Sequence, residues 1–131
     1  MTVMRFALAA ILVVHGVAHL VGFVVPWQLA KLEETPYKTT LLGGRLDVGD
    51  TGIRFNGLLW LLAGLGFVVS GAALMLLAPW WARFTSVVAA CSLALAVAGW
   101  PDSRIGVPID LLILAYLLIG ASLGWLSALG I

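Results

Sequence analysis

The sequence predicts an all-α integral membrane protein, a four-helix transmembrane bundle with a Gly/Asp-rich loop capping one end. Three observations predict it. The 131 residues are 63% hydrophobic and 10% charged, against roughly 45–50% apolar in soluble domains. A soluble bundle of this length cannot hide that much apolar surface from water, whereas lipid accepts it on the outside as well as the inside. Four apolar runs, 6–25, 57–78, 80–100 and 107–129, each approach the ~20 residues needed to cross a hydrocarbon core about 30 Å thick. Prolines and tryptophans stand at the boundaries of those runs.

The first run, Phe6 to Val25, is closed by Pro26. A cleaved signal peptide is its competing reading. Only Arg5 stands in the n-region, the run is long for an h-region, two histidines interrupt it, and no small-x-small site precedes a polar start. A retained helix is therefore expected. The segment 27–56 holds Lys31, Glu33, Glu34, Lys38, Arg45, Asp47, Asp50 and Arg54. Its glycines and aspartates, dense from Leu42 to Gly52, read as a turn-rich cap. Pro79 separates the second and third runs, Pro101 closes the third, and Pro108 suits the first turn of the fourth. Trp27, Trp60 and Trp100 mark one membrane face and Trp80, Trp81 and Trp125 the other, the two-belt pattern of lipid headgroup regions. Helix contacts are assigned to small residues, the Gly120/Gly124 pair and the Ala90, Ala94, Ala98 ladder, because lipid offers no hydrophobic drive for helix association. The single domain spans 1–131.

Short links make sequential helices antiparallel, and that threading decides which ends meet. One membrane face receives all six acidic residues together with Lys31, Lys38, Arg45, Arg54 and Arg104; the other receives only Arg5 and Arg83. At 1.5 Å rise per residue, His19 lies ~9 Å and His15 ~15 Å below the end of the first helix. Four apart, they share one helical face. Ionisable groups at such depth are costly and usually turn toward the bundle interior, where they mark functional sites. The expectation is a polar intramembrane pocket under the capping loop. Asn56, Trp60 and Asp110 start the surrounding helices, Trp60 and Trp100 serve as walls, and Arg54, Asp102 and Arg104 stand at the rim. Gly16 and Gly22 allow a neighbouring helix or ligand to come close.

Blander readings stand beside this one. The histidines can be neutral imidazoles bonded to a backbone carbonyl, Ser70 or Ser92, tying helices together. Arg54 with Asp102, or Arg104 with Asp110, can be interfacial ion pairs, the preferred reading for Arg104. No cofactor is expected. Zinc or another divalent metal at His15 and His19 is the alternative, with Asp102 or Asp110 as a third donor; haem fits worse, since two residues on one turn cannot both be axial ligands. Cys91 is the only cysteine, which excludes an internal disulfide or a cysteine-based zinc knuckle. A net charge of +1 without a basic stripe excludes nucleic acid as a partner.

The segments His15-Gly-Val-Ala-His19-Leu-Val-Gly-Phe, Gly43-Gly-Arg-Leu-Asp-Val-Gly-Asp-Thr-Gly-Ile-Arg-Phe-Asn-Gly-Leu-Leu-Trp60 and Trp100-Pro-Asp-Ser-Arg-Ile-Gly106 resemble an uncharacterised family of small four-helix bacterial membrane proteins, more distantly similar to DoxX-like proteins. The likeness runs through nearly the whole chain. It implies the four-helix architecture and the choice of His15, His19, Arg54, Trp60, Trp100 and Asp102, and it implies no established activity.

The function expected from these residues is acid–base chemistry on, or binding of, a lipophilic small molecule, of isomerase, hydrolase or cyclase type. His19 and Asp102 are the acid–base candidates, Arg54 the electrostatic stabiliser and His15 the orienter; Asn56, Trp60, Trp100 and Asp110 bind. The alternatives are a helper subunit of a larger membrane complex and a metal- or proton-handling protein. The expected partners are the lipid bilayer, a lipophilic small molecule, and a second copy or another membrane subunit. The expected location is the plasma membrane, crossed several times. Counting Lys and Arg places the acidic face in the cytoplasm, five against two. Against that count, Arg5 beside a short N-terminus, with Arg54 and Arg104 assigned to the site, favours cytoplasmic termini. A tag at residue 1 is accordingly expected to be protected from externally added protease in intact cells; cleavage of that tag overturns the orientation.

Overall fold

Inside a hydrocarbon layer every backbone N–H and C=O must find its partner within the protein, so long apolar runs become helices. The computed structural model describes residues 2–129, the side chains of 128 and 129 excepted. Its elements are α1 (Thr2–Ala18), α2 (Val21–Val24), β1 (Thr40–Leu41), β2 (Leu46–Asp47), α3 (Gly49–Met75), α4 (Trp81–Ala98) and α5 (Gly106–Leu123), followed by a 3₁₀ turn at Trp125–Leu129. Four helical segments are long and apolar enough to cross a membrane: Thr2–Val24, Gly49–Met75, Trp81–Ala98 and Gly106–Leu123. This is the multi-pass, all-α four-helix architecture the composition predicts. Large apolar side chains such as Val14, Leu62, Val87, Leu112 and Leu118 turn outward, as a lipid-facing surface requires.

Three features of the helices differ from those read in the sequence. The third helical element starts at Gly49 rather than 57, so Arg54 and Asn56 lie within it and the loop is shorter than 27–56. With 27 residues it is ~40 Å long, more than the ~30 Å hydrocarbon core, so its ends project beyond that core. The first span is broken at His19 and Leu20, leaving α2 as a single turn. The last helix stops at Leu123, where Gly124 takes a left-handed conformation (φ 75°), the usual way a glycine ends a helix.

The helices pack in sequence, α1 with α2 along α3, α3 against α4, and α4 against α5. Leu12, Phe67, Leu74, Trp81, Ala89, Ile113 and Leu117 form the centre. Trp81 is fully buried there, a core residue and no headgroup anchor. Gly16 lets a neighbouring helix come close, as expected, and the helix is α3 at Gly64; the Gly120/Gly124 pair makes no such contact. A Cβ on Gly16 would stand 2.6 Å from the Gly64 carbonyl oxygen, and one on Gly64 2.7 Å from the Gly16 oxygen. Gly71 meets Val13 and the Ala9 carbonyl in the same way. By contrast, Gly120 faces Leu126 of the terminal turn, while Ala90 and Ala94 are exposed. The inner face of α4 is Trp81, Thr85, Ala89, Ser92 and Ala96.

Because both sides of the α1–α3 contact are backbone, neither can rotate away from an added methyl. Gly16→Ala and Gly64→Ala are each expected to destabilise the protein by about 1–3 kcal/mol, the usual cost of overpacking. Ala94→Leu, on the lipid face, should leave stability unchanged. Unfolding titrations in mixed micelles measure all three, and a neutral Gly64→Ala overturns the close-contact assignment.

Candidate functional site

The break in the first span is made by His19 itself. Its ring Nδ1–H donates to the His15 carbonyl at 2.8 Å, the acceptor that its own backbone N–H reaches only at 3.3 Å. Sharing that acceptor tightens the next turn: Leu20 N–H bonds to the Val17 carbonyl and Gly22 N–H to the His19 carbonyl, each at 3.0 Å. The two imidazoles stand 4.7 Å apart and nearly perpendicular. Phe67 packs on both rings, 4.7 Å from His15 and 5.2 Å from His19. Trp60 lies 5.0 Å from His19. It also lies against Gly22, where any Cβ would collide with the indole, so Gly22 provides the close approach expected of it.

From the rings a hydrogen-bonded chain runs across the bundle. His19 Nε2 is 2.7 Å from Ser92 Oγ on α4, Ser92 Oγ is 2.6 Å from Asp110 Oδ2 on α5, and Asp110 Oδ1 is 2.8 Å from His15 Nε2 on α1. Ser92 and Asp110 are fully buried, and His19 and His15 are 3% and 8% exposed, so an unmade bond here would cost ~1–3 kcal/mol.

Counting donors restricts the protons. A carbonyl only accepts, so His19 Nδ1 carries a hydrogen, and the serine hydroxyl supplies one more. Two electrically neutral arrangements then fill all three bonds between the residues. In one, a protonated Asp110 donates to Ser92, which donates to His19 Nε2. In the other, a His19 imidazolium donates to Ser92, which donates to an Asp110 carboxylate. They differ by one proton moved from Asp110 to His19 through Ser92. In both, His15 donates Nε2–H to Asp110, leaving Nδ1 as a bare acceptor without a hydrogen-bond partner among the described residues.

His15 and His19 form part of the wall of a cavity of about 340 Å³, which also includes Gly22, Asn56, Trp60, Trp100, Asp102 and Ile109. The segment before α3 covers it with Tyr37, Lys38 and Leu41. Four contacts hold that cover. Lys38 Nζ pairs with Asp102 Oδ2 at 2.5 Å, Leu42 N–H donates to the Ala98 carbonyl at 2.7 Å, the Tyr37 hydroxyl donates to Asp50, and the Trp27 indole N–H donates to the Arg54 carbonyl at 3.0 Å. Asp47 Oδ1 accepts from Gly49 N–H and the Thr39 hydroxyl, each at 2.9 Å. Those two bonds hold its carboxyl below the usual range, the backbone one most strongly.

Six of the eight residues singled out in the sequence therefore line one cavity: His15, His19, Asn56, Trp60, Trp100 and Asp102. Asp110 lies behind the histidines, bonded to His15 and Ser92. Arg54 is exposed on α3, its guanidinium 5.8 Å from the Trp27 ring, and is not part of the cavity wall. The expected pairs Arg54–Asp102 and Arg104–Asp110 are not formed; Lys38 takes the first aspartate and His15 the second. Ser92 joins the chain as an active link, while Ser70 bonds to the Gly66 carbonyl of its own helix. Lys38 and Tyr37 carried no signal in the sequence.

Among the described residues no group of three or more His, Cys, Asp or Glu is placed to hold a metal ion. Three of the four imidazole nitrogens are engaged within the protein. Comparison with protein-family models, curated proteins and solved structures finds no match for this chain.

The Asp50 carboxylate, accepting the Tyr37 proton, raises the tyrosine above its ordinary 10.0. A group raised in the folded state contributes stability below its unfolded value and loses it as pH rises through the folded one. In a Tyr116→Phe background, tyrosinate absorbance from Tyr37 should thus appear above pH 10, with the cover loosening as it does. Asp50→Asn should return that titration toward 10.0; an unshifted titration in both proteins overturns the contact.

Proposed function

We propose that this chain binds a lipophilic small molecule in the covered cavity and carries out acid–base chemistry on it, of isomerase, hydrolase or cyclase type. The observation that carries the reading is the buried His19–Ser92–Asp110–His15 chain, which leaves His15 Nδ1 as an unengaged acceptor beside a cavity. An imidazole oriented by a carboxylate through one nitrogen and bare at the other is equipped to take a proton as a general base. His15 takes that role in this reading. Asp110 fixes its tautomer and faces the imidazolium that forms, and Ser92 and His19 complete the relay by which Asp110 can become a carboxylate as His15 gains charge. Asn56, whose side-chain amide has no partner among the described residues, orients the substrate. Asp102 holds Lys38 of the cover in place, a positioning role.

The test uses purified protein in phosphatidylcholine nanodiscs and mass spectrometry of the small molecules that co-purify. Wild-type protein and Leu112→Ala, a change on the outward face of α5, should retain the same amphiphile. His15→Gln and Asp110→Asn should retain it at least tenfold less, with folding checked by circular dichroism. Equal retention by all four removes the cavity reading; loss only alongside unfolding, with quantitative capture of another chain, favours the helper subunit instead.

A further inference from the structure

The charges around the cavity are matched, and its wall is incomplete on one side. Besides the histidines, the ionisable groups lining it are Lys38, Asp102 and Tyr37. Lys38 and Asp102 neutralise each other at 2.5 Å, Tyr37 donates to Asp50, and the histidine chain is neutral in both of its fully bonded arrangements. No unmatched charge remains to receive an ionic headgroup. What remains is polar and uncharged: the bare His15 Nδ1, which can only accept, and the Asn56 amide and the Thr35, Thr40 and Ser103 hydroxyls, which can do both.

The open side lies between α1 and α5. Packing joins α1 to α3, α3 to α4 and α4 to α5, with no comparable packing from α1 to α5. At this level the two helices meet through His15 and Asp110. Above that bond, residues on both edges line the cavity and are also exposed outward: Ala18 and Val21, the latter 40% exposed, on one edge, and Ile105, 70% exposed, on the other. They are apolar, and in a membrane-spanning bundle the outward direction there is lipid. At the aqueous end the Lys38–Asp102 pair and the Leu42–Ala98 bond tie the covering segment across the cavity. A volume of about 340 Å³ lies at the low end of the ~300–1,000 Å³ of small-molecule sites, enough for a headgroup and a short length of chain.

Resting on the proposed reading of the cavity, we infer that its ligand is an uncharged amphiphile whose headgroup donates an O–H or N–H to His15 Nδ1 while its hydrocarbon chain leaves through the α1–α5 seam into the bilayer. Charge matching excludes carboxylate and ammonium heads, because either would be desolvated beside groups that cannot compensate it. The seam explains how an apolar molecule reaches a site whose water-facing end is covered.

Electron paramagnetic resonance of nitroxide-labelled probes in phosphatidylcholine nanodiscs tests this. Stearyl alcohol labelled at carbon 5 should give a saturable immobilised component, and the same alcohol labelled at carbon 16 should be as mobile as bulk lipid. Stearate at pH 9 and stearyltrimethylammonium should bind at least tenfold more weakly. Ala18→Trp, a substitution on the exposed edge of the seam, should reduce the carbon-5 component at least fivefold. Charged probes binding as tightly as the alcohol, a carbon-16 label as immobile as carbon 5, or unaltered binding to Ala18→Trp each overturn the inference while leaving a binding cavity in place. No saturable component from any probe in the wild-type protein overturns the cavity reading as well.

Discussion

A buried polar group without a partner costs more than most single interactions contribute, and the centre of this protein is organised around avoiding that cost. Four polar side chains from three membrane spans close their hydrogen bonds on one another and on one backbone carbonyl. Low dielectric strengthens each bond and penalises each omission. Helices α1, α4 and α5 are thereby held to one rotation each, since turning any of them would strand a donor or an acceptor. The aromatic side chains of Phe67 and Trp60 pack against the rings from α3.

The same chain explains a local feature of the backbone. Helices ordinarily satisfy the i−4 carbonyl with the backbone N–H, but here the His19 ring takes that acceptor at the shorter distance. The helix yields one turn, and α2 follows as a separate single turn. Gly22 and Trp60 then meet, which makes the cavity wall. One side-chain hydrogen bond thus connects the tautomer of His19, the break in the span and the shape of the proposed site.

How much of this could be read in the sequence follows from what a bilayer constrains. Span length and number are set by hydrocarbon thickness, so the four helices were legible. The His15–His19 stripe was legible because ionisable residues are conspicuous in apolar runs. Rotation of each helix was not, since core-facing and lipid-facing positions are both apolar and no period separates them. That is why the Ala90, Ala94, Ala98 ladder looked like an interface although Ala90 and Ala94 are exposed. For the same reason nothing distinguished Asp110, aligned with Ile113 and Leu117 on the buried face of α5, from Asp102 as the partner of His15. The early start of α3 was hidden by Gly49 and Gly52, which read as turns; Asp47 reaching the Gly49 N–H is a contact that composition does not reveal. The Lys38–Asp102 pair joins residues 64 positions apart, beyond any local pattern.

The two ways this bundle joins its helices have opposite consequences for space. Where glycine meets glycine, as at Gly16 and Gly64, backbones approach until nothing larger than hydrogen fits between them. Where helices meet through an imidazole and a carboxylate, as at His15 and Asp110, two side chains and a 2.8 Å bond stand between the backbones, and helices so linked cannot close along their whole length. The opening lies beside that polar link, bounded by the tight contact on the other face of α1. His15 and Gly16 are adjacent in the chain and point to opposite demands, one holding a neighbour away and the other drawing a neighbour in. One dipeptide therefore joins α1 closely to α3 through Gly16 and to α5 through a side-chain link at His15.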